Sequence, residues 1–449
     1  MKKSIGLIIG LCLLVVWGCT TDEGAIRETE AIPSISKSTS SVPVPDIVGN
    51  QIVVKFDETL STTRKDTIRI LLQAAQNFVI QHIEVCDCDP NGPELWTIDT
   101  TQIGSPRVET LIGSIEEVVG NLDNNSSESD LEADLQFYFN IDDDQLSGMY
   151  ASSINDKIIS NSNPDIINIA ILDTGIDYSY FPGQFLYNTS STNNGVTDIS
   201  GWDFINHDKD IRDDHGHGTT VAKVIISELD ATNTPHAILA VKAFDKTGRT
   251  SYYDTICGVN YISKLTDIHI LNMSFGWYMI ERQSILENMM KSLENTTLII
   301  TSAGNFGVDT DELENSHFPS GYEVDNMIAV GGYELESDLP DHSTSTDVLN
   351  RIIIRNSNFG KEHIDFVAPF DGYELTFNSQ GGLIETVHPR GTSFSAAYAA
   401  ARAAQLHDRG VSVSTLKQTI LSSAYRLQRM EQYINNGNVI VRNHLNQTP

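Results

Sequence analysis

Four short stretches carry side chains able to act together on a substrate. They are "ILDTGID" with Asp173, "DDHGHGTTVA" with His215 and His217, "TSAGNFG" with Asn305, and "GTSFSAA" with Ser393. Asp173 ends an apolar run, where an unpaired ionised carboxylate is costly, so it needs a partner that uses its charge. A DTG sequence can form half of a carboxylate dyad, but the chain carries one DTG, and "IDTT" at Ile98 lacks the glycine. Asp213, Asp214, His215 and His217 are dense enough to suggest metal ligation, although no further His motif follows at the expected spacing. Ser393 sits between a Gly-Thr turn and an Ala-rich helical stretch. There it serves either as an N-cap or as a hydroxyl beside backbone N–H groups that favour developing negative charge. With Asp173 and His217 it makes a possible relay: acid orients imidazole, and imidazole takes the hydroxyl proton. Asn305, in a Gly-flanked loop after an apolar run, adds an amide donor for an oxyanion.

These residues need elements to position them. From Ile166, the runs "INIAIL", "ILAVKAF", "IHILNMSF", "TLIITSA", "MIAVGG" and "IDFVAP" alternate with helical stretches such as "TTVAKVIISEL" and "YYDTICGVNYISKL". Strands apolar on both faces and separated by helices predict a parallel α/β sheet whose functional residues collect at strand C-terminal ends. Upstream, "NQIVVKF", Thr62 to Ala75, "FVIQHIEV", "ELWTIDT", "RVETLIGSIEEVVGNL" and "ADLQFYFNI" alternate as strand, helix, strand, strand, helix, strand. That order predicts a small ferredoxin-like α+β unit over 47–141, followed by a loose linker at 142–163.

The chain has 449 residues and 40% hydrophobic content, enough for several domains with substantial cores. Its 60 acidic and 29 basic residues give a net charge of -31, which argues against nucleic acid as a partner. Surface carboxylates of this kind also suit calcium. Residues 1–18, with Lys2, Lys3 and the apolar run Ile5 to Trp17, have the build of a secretory signal. The stretch resembles a bacterial lipoprotein signal, with Cys19 as the lipidated residue; an uncleaved anchor or an ordinary signal with an incidental Cys is the alternative. Residues 19–46, rich in Ser, Thr, Pro and acids, predict a flexible tether. Five cysteines give no disulfide framework: Cys86 and Cys88 are open to pairing, metal binding or a plain turn, and Cys257 stands apart.

In chain order, Asp173, His217 and Ser393 match the Asp, His, Ser sequence of subtilisin, and no G-x-S-x-G elbow points elsewhere. The motifs "ILDTGID", "GWDFINHDKDIRDDHGHGTTVA", "NMSFG", "TSAGNFG" and "GTSFSAA" resemble those of the subtilisin-like serine proteases, the subtilases. The resemblance covers about 165–446 and also takes in "FPSGYEVDNMIAVGG" and "NSNFGKEHIDFVAP". It implies a three-layer parallel-sheet catalytic domain at 164–446 and a serine endopeptidase with an Asp173, His217, Ser393 triad. Asn305 would stabilise the oxyanion, and Ser274, Phe275, Gly276, Ala303 and Gly304 would bind polypeptide substrate. No cofactor or metal is implied for the chemistry, leaving calcium a structural role.

The unit at 47–141 resembles the family's propeptide, an inhibitor and folding aid, with a permanent accessory domain as the alternative. Processing within 142–163 would leave the lipid at Cys19 on the propeptide, at the outer membrane or surface of a Gram-negative bacterium, and let the catalytic domain leave. Thr220, Phe394 and Ala397 stand where the family usually has His, Met and Pro, but none removes a reacting atom. A degenerate subtilase that binds peptides or proteins without cutting them is the rival expectation.

Overall fold

A computed structural model describes residues 42–442 apart from 88, 100, 102–106, 124–126, 143–165, 182–185, 188–200, 281–282, 337–343 and 379–383. The signal at 1–18, Cys19, most of the tether, Cys88 and most of the 142–163 linker therefore lie outside the described residues.

The N-terminal unit comprises β1 (Asp46–Phe56), α1 (Thr62–Gln76), β2 (Val79–Val85), β3 (Glu94–Asp99), α2 (Val108–Gly120) and β4 (Leu131–Asn140). Ser61 caps α1 by accepting from Arg64 N, and Asn77 closes the helix in the left-handed conformation (φ 53). The strands run antiparallel in the order β2-β3-β1-β4, the ferredoxin-like arrangement that the element order predicts. Alternation along the strands gives the sheet two apolar faces. Ile52, Val54, Trp96 and Ile98 pack on Ile68 and Leu72 of α1 and on Leu111, Ile115 and Val119 of α2. Val53, Leu95, Phe137 and Phe139 face the rest of the molecule.

There the chain continues as β5 (Ile167–Asp173), β6 (Gly201–Asp203), α3 (His217–Asp230), β7 (His236–Lys242), β8 (Arg249–Ser251) and α4 (Tyr252–Ser263). It goes on through β9 (Ile270–Met273), β10 (Trp277–Tyr278), α5 (Ser284–Ser292), β11 (Leu298–Ser302), β12 (His317–Phe318) and β13 (Met327–Leu335). Next come α6 (Ser345–Arg351), β14 (Ile352–Ile353), β15 (Phe366–Pro369), β16 (Leu375–Asn378) and β17 (Ile384–Val387). Last are α7 (Thr392–Asp408), α8 (Val413–Ser423), β18 (Tyr425–Arg426) and β19 (Asn438–Val439).

The main sheet runs β18-β19-β15-β13-β11-β9-β5-β7-β6, and its strands from β15 to β6 are parallel. Ile167, Ile169 and Ile171 of β5 point to the face covered by α3, α7 and α8. Ala170 and Leu172 point to the face covered by α4 and α5. The result is the three-layer α/β domain expected from the buried strand runs.

The N-terminal sheet lies on the α4 and α5 side. There β4 pairs antiparallel with β8, with Tyr138 opposite Ser251, Phe139 opposite Thr250 and Asn140 opposite Arg249. Asp134 accepts from Ile285 N (2.8 Å) and Ser284 N (3.0 Å) at the start of α5, and from the Tyr252 hydroxyl (2.7 Å). Gln136 Oε1 accepts from Tyr253 N at the start of α4 (3.1 Å). One unit thus caps the helices of the other.

A disulfide joins Cys86 to Cys257, 171 residues apart, with a Cα–Cα distance of 5.4 Å. This replaces the expectation that Cys86 pairs with Cys88, binds metal or stays a thiol. Cys86 follows β2 on the face turned toward α4, where Cys257 is buried within bonding reach.

Candidate active site

Adjacent parallel strands bring distant motifs to one edge. In the sheet register Leu172 of β5 faces Met273 of β9, and Met273 faces Thr301 of β11. The residues that follow, Asp173, Ser274 and Ala303 to Asn305, therefore emerge side by side at the strands' C-terminal ends. The helices α3 and α7, which begin with His217 and Thr392, close the same edge.

Asp173 meets His217 directly. Their side chains are 1% and 0% exposed, and His217 Nδ1 lies 2.8 Å from Asp173 Oδ1 and 2.9 Å from Oδ2. Thr174 N donates to the same carboxylate at 2.7 Å. The buried acid has found its charge-using partner. A hydrogen bond through Nδ1 fixes the ring so that Nε2 faces away from Asp173.

Gly218 explains how the two segments come so close. A Cβ there would lie 2.2 Å from the Gly175 carbonyl oxygen and 3.1 Å from Asp173 Oδ1. Asp213 holds the loop in front of α3. Its Oδ1 accepts from His215 N (2.9 Å), Gly216 N (2.7 Å) and the Thr174 hydroxyl (2.9 Å). Its Oδ2 accepts from Thr219 N (2.9 Å) and the Thr219 hydroxyl (2.6 Å). Thr174 Oγ1 in turn accepts from Gly218 N (2.9 Å), linking the Asp and His segments.

Asp213 therefore has a positioning role, to which the sequence assigned no residue. Among the described residues, no group of three or more His, Cys, Asp or Glu is arranged to hold a metal ion. His215 is buried over Gly248, and burial together with the neighbouring His217 lowers its pKa.

Ser393 lies in the first turn of α7 and is 5% exposed. Its hydroxyl donates to the Ser274 carbonyl (3.0 Å), while the Ser274 hydroxyl donates to the Ser393 carbonyl (2.9 Å). Phe394 packs fully buried with its ring 5.9 Å from that of His217, so the larger side chain braces the imidazole. Ala397 is buried within an unbroken α7, and the helix forms without the proline usual at that position.

Asn305 is held by its carbonyl end. Its Oδ1 accepts from Thr392 N (2.8 Å) and the Thr392 hydroxyl (3.1 Å), which turns the NH2 group the other way. That group donates to the Asp142 carbonyl oxygen at 3.3 Å. Ala303 and Gly304 flank it, and Gly304 N donates to Thr392 Oγ1 (3.0 Å).

The expected substrate residues are only part of what lies along this sheet edge. Residues 138–141 run beside β8, with Ile141 N donating to the Gly248 carbonyl (2.9 Å). Ser274 supplies a carbonyl to Ser393, Phe275 a ring 6.0 Å from that of Phe139, and Gly276 a close approach to His317. The rim Gly248 to Ser251 was not a sequence candidate. Its "GRTS" has no strand periodicity, and only the pairing with β4 makes it one.

Residues 165–444 match the Subtilase family, more than half of the chain, and the protein belongs to that family. It is similar to the thermophilic serine proteinase of Bacillus sp. (strain AK1), 27% identical over 282 residues, or 60% of this chain and 59% of that protein. It is also similar to the major intracellular serine protease of Bacillus subtilis (strain 168), 28% identical over 192 residues, or 41% of this chain and 57% of that protein. The chain thus spans less than two thirds of the length of these curated relatives. A cold adapted subtilisin-like serine proteinase of solved structure is 18% identical with a TM-score of 0.45, over 67% of this chain and 96% of that one.

Proposed function

We propose that this protein is a serine endopeptidase in which Asp173, His217 and Ser393 act as the triad and Asn305 as oxyanion donor. The observation that carries this is the fully buried Asp173–His217 hydrogen bond at the sheet edge where Ser393 and Asn305 also lie. The Ser393 hydroxyl swings from the Ser274 carbonyl to His217, which takes its proton as Oγ attacks a peptide carbonyl. Asp173 stabilises the histidinium that forms, and the Asn305 amide stabilises the oxyanion. His217 then protonates the leaving amine, and water releases the acyl group by the reverse sequence. Ser274, Phe275, Gly276, Ala303 and Gly304 line the cleft that takes the polypeptide. No step needs a cofactor, and calcium would have a structural role alone.

The unit at 47–141 is, in the same proposal, a propeptide. Support comes from β4, which pairs antiparallel with β8, and from the caps that Asp134 and Gln136 place on α5 and α4. Lipidation at Cys19 and a place at the outer membrane or cell surface rest on the signal-like N-terminus. After processing in 142–163, the Cys86–Cys257 bond would keep the catalytic domain attached to the anchored part until it is reduced.

Labelling with a fluorophosphonate probe tests the enzyme. The expected result is labelling of the native protein that disappears in Ser393→Ala and survives a chelator. A folded native protein that takes up no probe and cuts no peptide would leave the peptide-binding alternative.

A further inference from the structure

The carbonyl that Asn305 holds belongs to Asp142, two residues past the end of β4. In a site of the proposed kind, the carbonyl beside the oxyanion amide is the one under attack. The preceding residues are in register for this: Ile141 is hydrogen-bonded to Gly248, and Asn140 faces Arg249. Three residues before Asp142, the Phe139 ring sits among Phe244 (5.8 Å), Phe275 (6.0 Å) and Trp277 (5.1 Å).

What receives the Asp142 side chain is polar. A Cβ on Gly304 would lie 2.3 Å from the Tyr278 hydroxyl, 2.5 Å from Asn358 Nδ2 and 3.1 Å from His317 Nε2, so three polar groups converge there. Asn358 Nδ2 donates to the Tyr278 hydroxyl oxygen at 2.7 Å and to the Ala303 carbonyl at 2.8 Å. With its oxygen engaged as acceptor, the phenol has its proton to give away. It forms a hydrogen bond with the Asp142 carboxylate, and burial together with that negative charge raises the Tyr278 pKa, which keeps the proton on at neutral pH. His317, fully buried with its ring 4.7 Å from that of Tyr278, is held neutral because burial pushes it down to about 3. Asp142 itself is half-buried, so the carboxylate is not stripped of all solvent.

Resting on the serine-endopeptidase reading, the geometry points to a protease that cuts after acidic residues, with Tyr278 as the specificity-determining donor and the bond following Asp142 as its first substrate. In that cut Ser393 Oγ bonds to the Asp142 carbonyl carbon as the bond to the next nitrogen breaks. The serine proton passes through His217 to the departing amine, and water then frees the new Asp142 carboxylate. A site built around a hydrogen-bond donor rejects side chains that leave the donor unpaired.

The test uses the full-length chain and, after processing, a peptide series differing only in the residue before the cut: Asp, Asn, Leu, Phe or Lys. The C-terminal fragment should begin at residue 143, and kcat/KM for Asp should exceed that for Leu and Phe at least about tenfold. Tyr278→Phe should lower the Asp-to-Leu ratio about tenfold, as expected for one charge-assisted hydrogen bond. A preference for Leu or Phe, a fragment starting elsewhere, or a ratio unmoved by Tyr278→Phe would overturn the inference. If the fluorophosphonate probe still labels Ser393 in that case, the protease reading stands and this specificity alone falls. Absence of labelling and of all cleavage would overturn both.

Discussion

Cys86 and Cys257 are covalently joined across the face where the N-terminal sheet lies on α4, each buried to 4% exposure or less. Cutting the chain in the 142–163 linker therefore does not separate the two parts. Processed protein should run as one species without reductant and as two after reduction, and Cys257→Ser should give two in both cases. The same substitution should lower stability by about 3 kcal/mol in chemical denaturation, as a long-loop cross-link is lost. Two bands from unreduced native protein would refute the linkage.

In the proposed relay Asp173 acts by orienting His217. Asp173→Asn keeps the size of the side chain but presents the wrong hydrogen-bonding group to His217 Nδ1. The expected outcome is a kcat about ten-thousandfold lower with the fold unchanged by circular dichroism. A loss below about tenfold would remove Asp173 from the proposed relay.

Gly218 is confined by backbone rather than by a movable side chain. Because its Cβ would lie 2.2 Å from the Gly175 carbonyl oxygen, Gly218→Ala must push the start of α3 away from Asp173. Activity should fall at least about a hundredfold, since a shift near 1 Å at the reacting groups has that effect. Peptide hydrolysis by the purified variant, beside its melting temperature, measures it.

Asp134 makes the contact between the two units pH-dependent. Burial pushes its carboxyl up to about 6 although Tyr252, Ile285 and Ser284 donate to it and pull the other way. The packed state thus holds this proton more tightly than the separated or unfolded state does, so the contribution is full below about pH 4 and fades as pH rises to about 6. The span corresponds to about 3 kcal/mol. In the uncut Ser393→Ala background, thermal stability of the Asp134 protein should drop relative to Asp134→Asn between these pH values. A constant offset between the two curves would show that Asp134 does not titrate there.

Much of this protein was legible before any coordinates. Both helices of the N-terminal unit, its four strands and the buried strands of the main sheet follow local apolar periodicity, and their bounds fall within a few residues of the expected ones. Asp173, His217, Asn305 and Ser393 were recognisable because each sits in a compact motif, and parallel register then brings these motifs to one edge. Asp213 was visible without an assigned role: a carboxylate near two histidines looks the same on paper whether it holds a metal or backbone N–H groups.

Sequence by itself determined the elements, their order and the residues of the proposed relay, because propensity, periodicity and motif chemistry act over short stretches. Only the tertiary structure decided that Cys86 meets Cys257, that "GRTS" becomes the partner strand of β4, and that Asn305 holds Asp142 beside Tyr278. Each of these joins residues more than a hundred positions apart. Such contacts leave no periodic trace along the chain; they arise from how two finished surfaces fit.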